Sequence, residues 1–323
     1  MYKLFNRFQP LFSSHILLYH ATYRNIPINM EKGLHNVDPE TLYKQIHWFK
    51  KYFDIVSVDT LFNTKSNKVG KLAVTFDDAY DSVFLEALPV LETLNVPCTI
   101  YLNGVTITEK PLWRDKIRYI INSDLVEDFL KFDEKFFNEK KIITSNFYTQ
   151  TKSFECNSKE IDTVLDKYFQ WKKISPERMR FTLRDASKLK SHPLISYGNH
   201  TYNHYVMSSL SKEEQEIEII ENEKLINQLN IKNSKVFSIP FGSASDFNED
   251  TIELLKKYNY EAFLYSENKI NLLPLNNKIK DRSFSLLSGE RYMAKSSYNS
   301  FQKHLFKLGI KALMSKFMFK NSM

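Results

Sequence analysis

Glycine is scarce in this chain: there are seven in 323 residues, and no two fall in a G-x-G arrangement. That counts against both the dinucleotide fingerprint and the phosphate-cradling loop, which need closely spaced glycines so that the backbone can approach a phosphate. Cysteine is scarcer still. Cys98 and Cys156 make no CxxC pair and no disulfide framework, and Cys98, inside an apolar run, is expected as a buried free thiol. No apolar run approaches the ~20 residues that span a bilayer. The first ten residues break every apolar run with a polar one, so no secretory signal is expected and a cytoplasmic location is. Repeats and low-complexity tracts are absent as well.

The chain has 45 basic against 38 acidic residues, a net charge of +7. The lysines are dispersed among asparagines rather than packed into a dense patch, and no nucleic-acid-binding module is recognisable, so a solvated basic surface is expected and nucleic acid is not. Aromatics make up 14% of the residues, enough for a large core and for stacking walls in a cleft.

Short apolar runs alternate with helical patterns. Strands are predicted at 16–19, 55–57, 72–76, 97–102, 194–197, 236–239 and 260–265, and helices at 39–52, 82–94 and 250–258. Such alternation implies parallel strands with crossover helices, hence a βα barrel or a doubly wound sheet. The rhythm stops between about 105 and 185, where charged helical segments such as 124–140 and 158–172 follow one another without strands. This stretch reads as a helical insertion in a single domain that takes up the whole chain. After it, Ser211 and Glu214 form a capping box for a helix whose buried stripe is predicted as Ile217, Ile220, Leu225 and Leu229. The C-terminal stretch, about 299–320, reads as a basic amphipathic helix. Phe306, Ile310, Leu313, Met314 and Phe317 share a face, with Lys303, Lys307, Lys311, Lys316 and Lys320 elsewhere. Docking on the barrel and peripheral contact with an anionic membrane are both open to it.

Two fragments carry chemistry. Thr75-Phe-Asp-Asp78 ends one apolar strand, and His200-Thr-Tyr-Asn-His204 follows another. Histidines four apart point the same way if their turn is helical, and a carboxylate from another strand end completes a three-ligand set with a fourth position open for water. One aspartate of the pair can bind the ion while its neighbour acts as base. The strand ends also bear His20 and Pro240-Phe241-Gly242, and active sites of βα folds lie at the carboxyl ends of strands.

Thr75-Phe-Asp-Asp-Ala-Tyr80 and His200-Thr-Tyr-Asn-His204 resemble the first two motifs of the polysaccharide deacetylases, carbohydrate esterase family four. Ser238-Ile-Pro-Phe-Gly242 resembles a divergent third motif, and Leu17-Leu-Tyr-His20 the opening strand of members with a circularly rearranged motif order. The resemblance covers about 15–104 and 185–285. It implies a distorted (β/α) barrel, often seven-stranded, and removal of acetyl groups from amino sugars. It also implies Asp77 as general base, Asp78, His200 and His204 as metal ligands, and the backbone N–H of Phe241 as oxyanion donor. His20 is the candidate general acid. Tyr80, Trp113 and Arg282 are expected at the substrate. One divalent ion is implied; zinc is expected from the His-His-Asp set, with cobalt or nickel as alternatives.

Two departures stand out. Ala79 replaces a common glycine, which matters if the position needs positive φ. Ser238 replaces an arginine that braces the base, and Arg282 or Arg114 is expected to supply the missing guanidinium. The leading expectation is a metal-dependent hydrolase acting on an N-acetylated sugar of a glycan or glycan precursor in surface polysaccharide biosynthesis. The alternatives are a catalytically impaired glycan-binding or scaffold protein on the same fold and a deacylase of a non-sugar amide.

Overall fold

A computed structural model of the chain describes all residues except 1, 64–68, 109, 184, 190, 273–277, 280–281, 284 and 321–323; for 278–279, 282–283 and 315–320 it describes the backbone alone. Strands β1 (Ser13–Tyr19), β2 (Lys71–Phe76), β3 (Cys98–Leu102) and β4 (Ile195–Asn199) pair in parallel in that order, with Leu17 opposite Val74, Thr75 opposite Thr99 and Ile100 opposite Tyr197. A second parallel set holds β5 (Val236–Ser238), β6 (Ala262–Tyr265) and β7 (Leu287–Glu290). The two sets meet at two seams. On one side Tyr197 of β4 bridges to Asn233, just ahead of β5. On the other, β7 runs through Arg291 into β8 (Tyr292–Met293), which pairs with β1. With β7 and β8 taken as one broken stave, the described strands form a distorted seven-stave β/α barrel. β1, β3 and β4 are buried along their whole length, as parallel strands covered on both faces must be.

The amino end of the barrel is plugged. Val58, Leu61 and Phe62 of a short helix (Val58–Phe62) cluster with Ile16, Ala73, Tyr101, Val236, Ala262 and Leu264. The cavity and the acid–histidine group lie at the opposite end. Between β3 and β4 the described residues form helices and turns without a named strand, including α1 (Trp113–Asn122) and α2 (Ser158–Lys172). These helices have their own core, built on Trp113, Ile117, Ile120, Phe129, Leu165 and Tyr168, which reaches Tyr205 beyond the metal-ligand candidates. The continuous helix predicted over 124–140 is broken at Asp133, whose carboxylate accepts the Phe136 N–H at 3.2 Å and starts a new helix.

The helix α3 (Lys212–Gln228) has the predicted capping box, but its buried face is not the predicted one. Ile217 is 58% exposed, and Gln215, Glu218, Ile219, Asn222 and Ile226 point inward instead. Apolar periodicity misleads here because this face is largely polar. Asn222 donates to the Leu102 carbonyl and to Asn199 at 2.7 Å each, and Glu218 accepts from the Asn203 backbone at 2.7 Å. The face thus satisfies the loop that carries the two histidines. The C-terminal helix α4 (Tyr298–Lys320) docks through Phe301, Leu305 and Leu308. Of the face predicted for it, Phe306, Ile310 and Leu313 are half-buried, Met314 is exposed, and the Phe317 side chain lies outside the described residues. No described helix is long and apolar enough to cross a membrane.

Candidate active site

Each metal-ligand candidate leaves its strand through an unusual turn. Asp78 and Ala79 follow β2 with φ of 68° and 49°, and Thr201 and His204 follow β4 with φ of 66° and 63°. The histidine turn is therefore not helical, and helical spacing is not what brings the two rings together. Left-handed residues at both ends swing the two rings together instead, and the Thr201 hydroxyl accepts the His204 N–H at 3.0 Å. Ala79 does occupy a position that favours glycine, at a cost of about 1 kcal/mol. Both backbones are held: Asn103 donates to the His200 carbonyl, and Trp113 Nε1–H donates to the His204 carbonyl at 2.8 Å.

The side chains converge. One ligand atom each from Asp78, His200 and His204 lies within 4.8 Å of the others, all three residues buried. His200 Nδ1 bonds the Ser238 carbonyl at 2.8 Å, which turns Nε2 inward as the free donor atom. His200 Nε2 and Asp78 Oδ1 have no hydrogen-bond partner among the described residues although both are buried. Such orphans facing one point are costly unless a cation sits between them. Burial and the neighbouring Asp77 push the Asp78 carboxyl up to about 8, against a weaker pull from Arg118; a divalent ion would reverse this. These residues therefore fit a divalent metal.

Asp77 faces the same point from the other side, its Oδ2 lying 3.4 Å from His200 Nε2. Its Oδ1 accepts from Arg291 Nη1 at 2.8 Å, and the Ser238 hydroxyl lies 3.3 Å from Oδ2. Burial pushes its pKa up, but the Arg291 guanidinium and His200 outweigh that and hold it down at about 2. The guanidinium beside Asp77 thus comes from Arg291, at the break between β7 and β8. Arg114, one of the two expected donors, is engaged elsewhere, donating to Thr151 and to the Tyr148 carbonyl. The other, Arg282, has its side chain outside the described residues.

A cavity of about 380 Å³ opens over these groups and is lined also by His20, His35, Arg114, Lys152 and Phe241. His20 Nδ1 lies 3.2 Å from His35 Nδ1, and His35 Nε2 lies 2.6 Å from the Ala294 carbonyl. That carbonyl can only accept, so His35 carries its proton on Nε2 and takes the His20 Nδ1–H on Nδ1. His20 Nε2 is left for the cavity. Burial, with His35 next, pulls the His20 pKa well down, and Asp77 pulls it the other way. Phe241 has φ 61° in a turn closed by the Gly242 N–H on the Pro240 carbonyl, a bond that does not use its own N–H. Gly242 is required there: a Cβ would lie 2.9 Å from the Ser266 nitrogen, at φ 81°.

Two residues expected at the substrate stand behind the wall. The Tyr80 hydroxyl donates to Asp115 at 2.9 Å and accepts from Arg118 at 2.6 Å, fully buried. Trp113 belongs to the core of the helical insertion and stands behind lining residues of the cavity, among them Phe241, 6.1 Å away centroid to centroid, and Arg114. Sequence reasoning missed Arg291, His35 and Lys152. None lies in or beside a motif, and Arg291 ends a strand too polar to read.

The parallel barrel thus carries, at the carboxyl end of its strands, a buried acid–histidine group that could hold a metal ion. The family model described as polysaccharide deacetylase matches residues 138–263. The match includes His200, His204 and the Pro-Phe-Gly turn, while Asp77 and Asp78 lie outside it. Solved structures share the fold. The Streptococcus pyogenes deacetylase PplD is 16% identical with a TM-score of 0.53, covering 92% of this chain and 97% of its own. IcaB from Ammonifex degensii is 13% identical at 0.53, covering 92% and 97%. A de-N-acetylase from Aggregatibacter actinomycetemcomitans is 14% identical at 0.54, covering 90% and 99%. No curated protein matches the sequence.

Proposed function

We propose that the chain is a metal-dependent deacetylase that hydrolyses the amide of an N-acetylated sugar in a glycan or glycan precursor of surface polysaccharide assembly. The observation that carries this reading is the set of four buried groups, Asp78, His200 and His204 around one point with an ionised Asp77 beside them. Likeness to deacetylases of known structure supports the substrate class. A divalent ion held by Asp78, His200 and His204, most simply zinc, would act as the Lewis acid that polarises the acetyl carbonyl and acidifies water.

The chain's own groups do the rest. Asp77 Oδ2 takes the proton of the attacking water, while Arg291 on Oδ1 keeps the carboxylate ionised and fixed. The Phe241 N–H donates to the developing oxyanion. His20, neutral at rest with Nε2 bare, takes up on Nε2 the proton that Asp77 gains from the attacking water and passes it to the leaving nitrogen. Burial, which pulls its pKa well down, makes the ring once protonated a strong donor, and His35 holds it by the opposite nitrogen. The impaired-binder alternative draws on Ser238 in place of arginine and on an unsettled general acid; the Arg291 contact with Asp77 answers the first.

The test is metal analysis together with an acetate-release screen over N-acetylhexosamine oligomers and nucleotide sugars. One equivalent of metal per chain is expected. A chelator should remove both metal and acetate release, and added zinc should restore both. His204→Ala protein that still binds a full equivalent would overturn the ligand set.

Peripheral membrane contact is part of the proposal. Leu4, Phe8 and Leu11 are exposed in the N-terminal segment, whose helix Tyr2–Asn6 packs on α4, and Met314, Lys303, Lys307 and Lys311 are exposed along α4. The full chain should float with phosphatidylglycerol vesicles, and Lys303→Glu, Lys307→Glu and Lys311→Glu together should abolish flotation. Equal behaviour of the two proteins removes the contact.

A further inference from the structure

The cavity has a second charged end that the deacetylation chemistry does not use. Arg114 lines it, almost fully buried, yet makes no ion pair with a carboxylate among the described residues. Its guanidinium donates to the Thr151 hydroxyl at 3.1 Å and lies 4.9 Å from the Trp113 ring, 4.7 Å from Tyr148 and 5.6 Å from Phe241. Lys152 lines the cavity beside it, 5.0 Å over the Tyr148 ring and 6.0 Å over Phe241, again with no carboxylate within ion-pair distance among the described residues. The other basic group on that wall, Arg118, is already neutralised by Asp115 at 2.6 Å. Asp246 attracts Lys152 only from beyond contact.

Aromatic faces return part of the cost of burying a cation, but two uncompensated cations side by side repel and leave an anion-shaped deficit. Neighbouring groups register that field. Burial pulls both Arg114 and Lys152 down and raises the Tyr148 hydroxyl, but the cations outweigh burial there and bring Tyr148 down to about 8. The deficit lies close to the chemistry: the Phe241 ring in contact with Arg114 is also 4.7 Å from the His204 ring.

We infer that the acetylated sugar this site accepts carries an anionic group, a phosphate or a carboxylate, that Arg114 and Lys152 grip across the Phe241 ring from the metal-ligand candidates. This rests on the deacetylase reading for its sugar and on the two cations for its charge. A guanidinium offers paired donors to an oxyanion, and a lysine adds a mobile point charge. Nucleotide-linked and lipid-linked sugar phosphates and uronate- or lactyl-bearing amino sugars share that chemistry.

The test is calorimetric titration of metal-loaded Asp77→Asn protein, which holds substrate without turnover. The probes are N-acetylglucosamine, N-acetylglucosamine 1-phosphate, N-acetylmuramic acid and inorganic pyrophosphate. At least one anionic sugar should bind about tenfold or more tighter than the neutral one, the worth of a single charge-assisted contact. Preference for the phosphate or the carboxylate probe identifies the source. Lys152→Gln, at a partly exposed position, should shrink that ratio at least about fivefold, and Arg114→Gln should do so if it folds. Anionic and neutral sugars binding alike, or a ratio unmoved by Lys152→Gln, overturns the inference and leaves the deacetylase reading standing. Lys152-dependent pyrophosphate binding with no binding of any acetylated sugar supports the anion subsite and overturns the deacetylase reading.

Discussion

Asp77→Asn protein should retain its divalent ion and release acetate at least about a thousandfold more slowly than the native chain, the scale of a lost general base. The expected separation of binding from chemistry follows from the geometry. Asp78 supplies the carboxylate oxygen nearest His204, at 3.3 Å, whereas Asp77 turns Oδ1 to Arg291 and leaves Oδ2 beside the point on which the ligands converge. An amide at position 77 still accepts from Arg291 but cannot take a proton from water. Asp78→Asn should do the opposite and lose the metal first. Acetate release and bound metal measured on the same two preparations decide the assignment. Retained turnover in Asp77→Asn, or metal lost from it, would show that the two aspartates have been given each other's roles.

The chemistry was more legible in the sequence than the frame that completes it. Asp77 and Asp78 follow an apolar run that ends in a turn, and His200 and His204 follow another, so strand ends and ligand types coincide in a short window. The shape of the turn between the histidines stayed open, because spacing alone cannot report the left-handed φ at Thr201 and His204. The closing staves were missed for a different reason. Leu287-Ser-Gly-Glu290 and Tyr292-Met293 are short, with a serine, a glycine and a glutamate where a buried strand usually reads apolar, and neighbouring strands hold them in place. Arg291 disappeared with them. The α3 stripe failed because Glu218 and Asn222 are buried to satisfy loop backbone, a demand set by tertiary contact that hydrophobic periodicity cannot show.

The arginine so hidden should have the largest structural effect of any single side chain at this end of the barrel. Arg291 and Asp77 are both nearly inaccessible, and their contact is direct at 2.8 Å. Removing one partner of a buried pair strands the other charge, so Arg291→Met should lose about 3–5 kcal/mol of stability, read by denaturant titration at neutral pH. The kinetic consequence has a defined sign. In the native chain Asp77 is held at about 2, so its contribution to stability is present above the ordinary aspartate range and is lost only as pH falls through that value. Without the guanidinium the burial that raises the Asp77 pKa prevails, leaving His200 as the next largest opposing influence. The base then protonates at higher pH, and the acid limb of kcat/KM should move upward, with part of the rate recovered on the alkaline side. Arg291→Lys should restore the limb toward its native position by returning the charge, though not the fixed direction of the contact. A purely structural arginine would lower stability in both variants and leave the limb where it is.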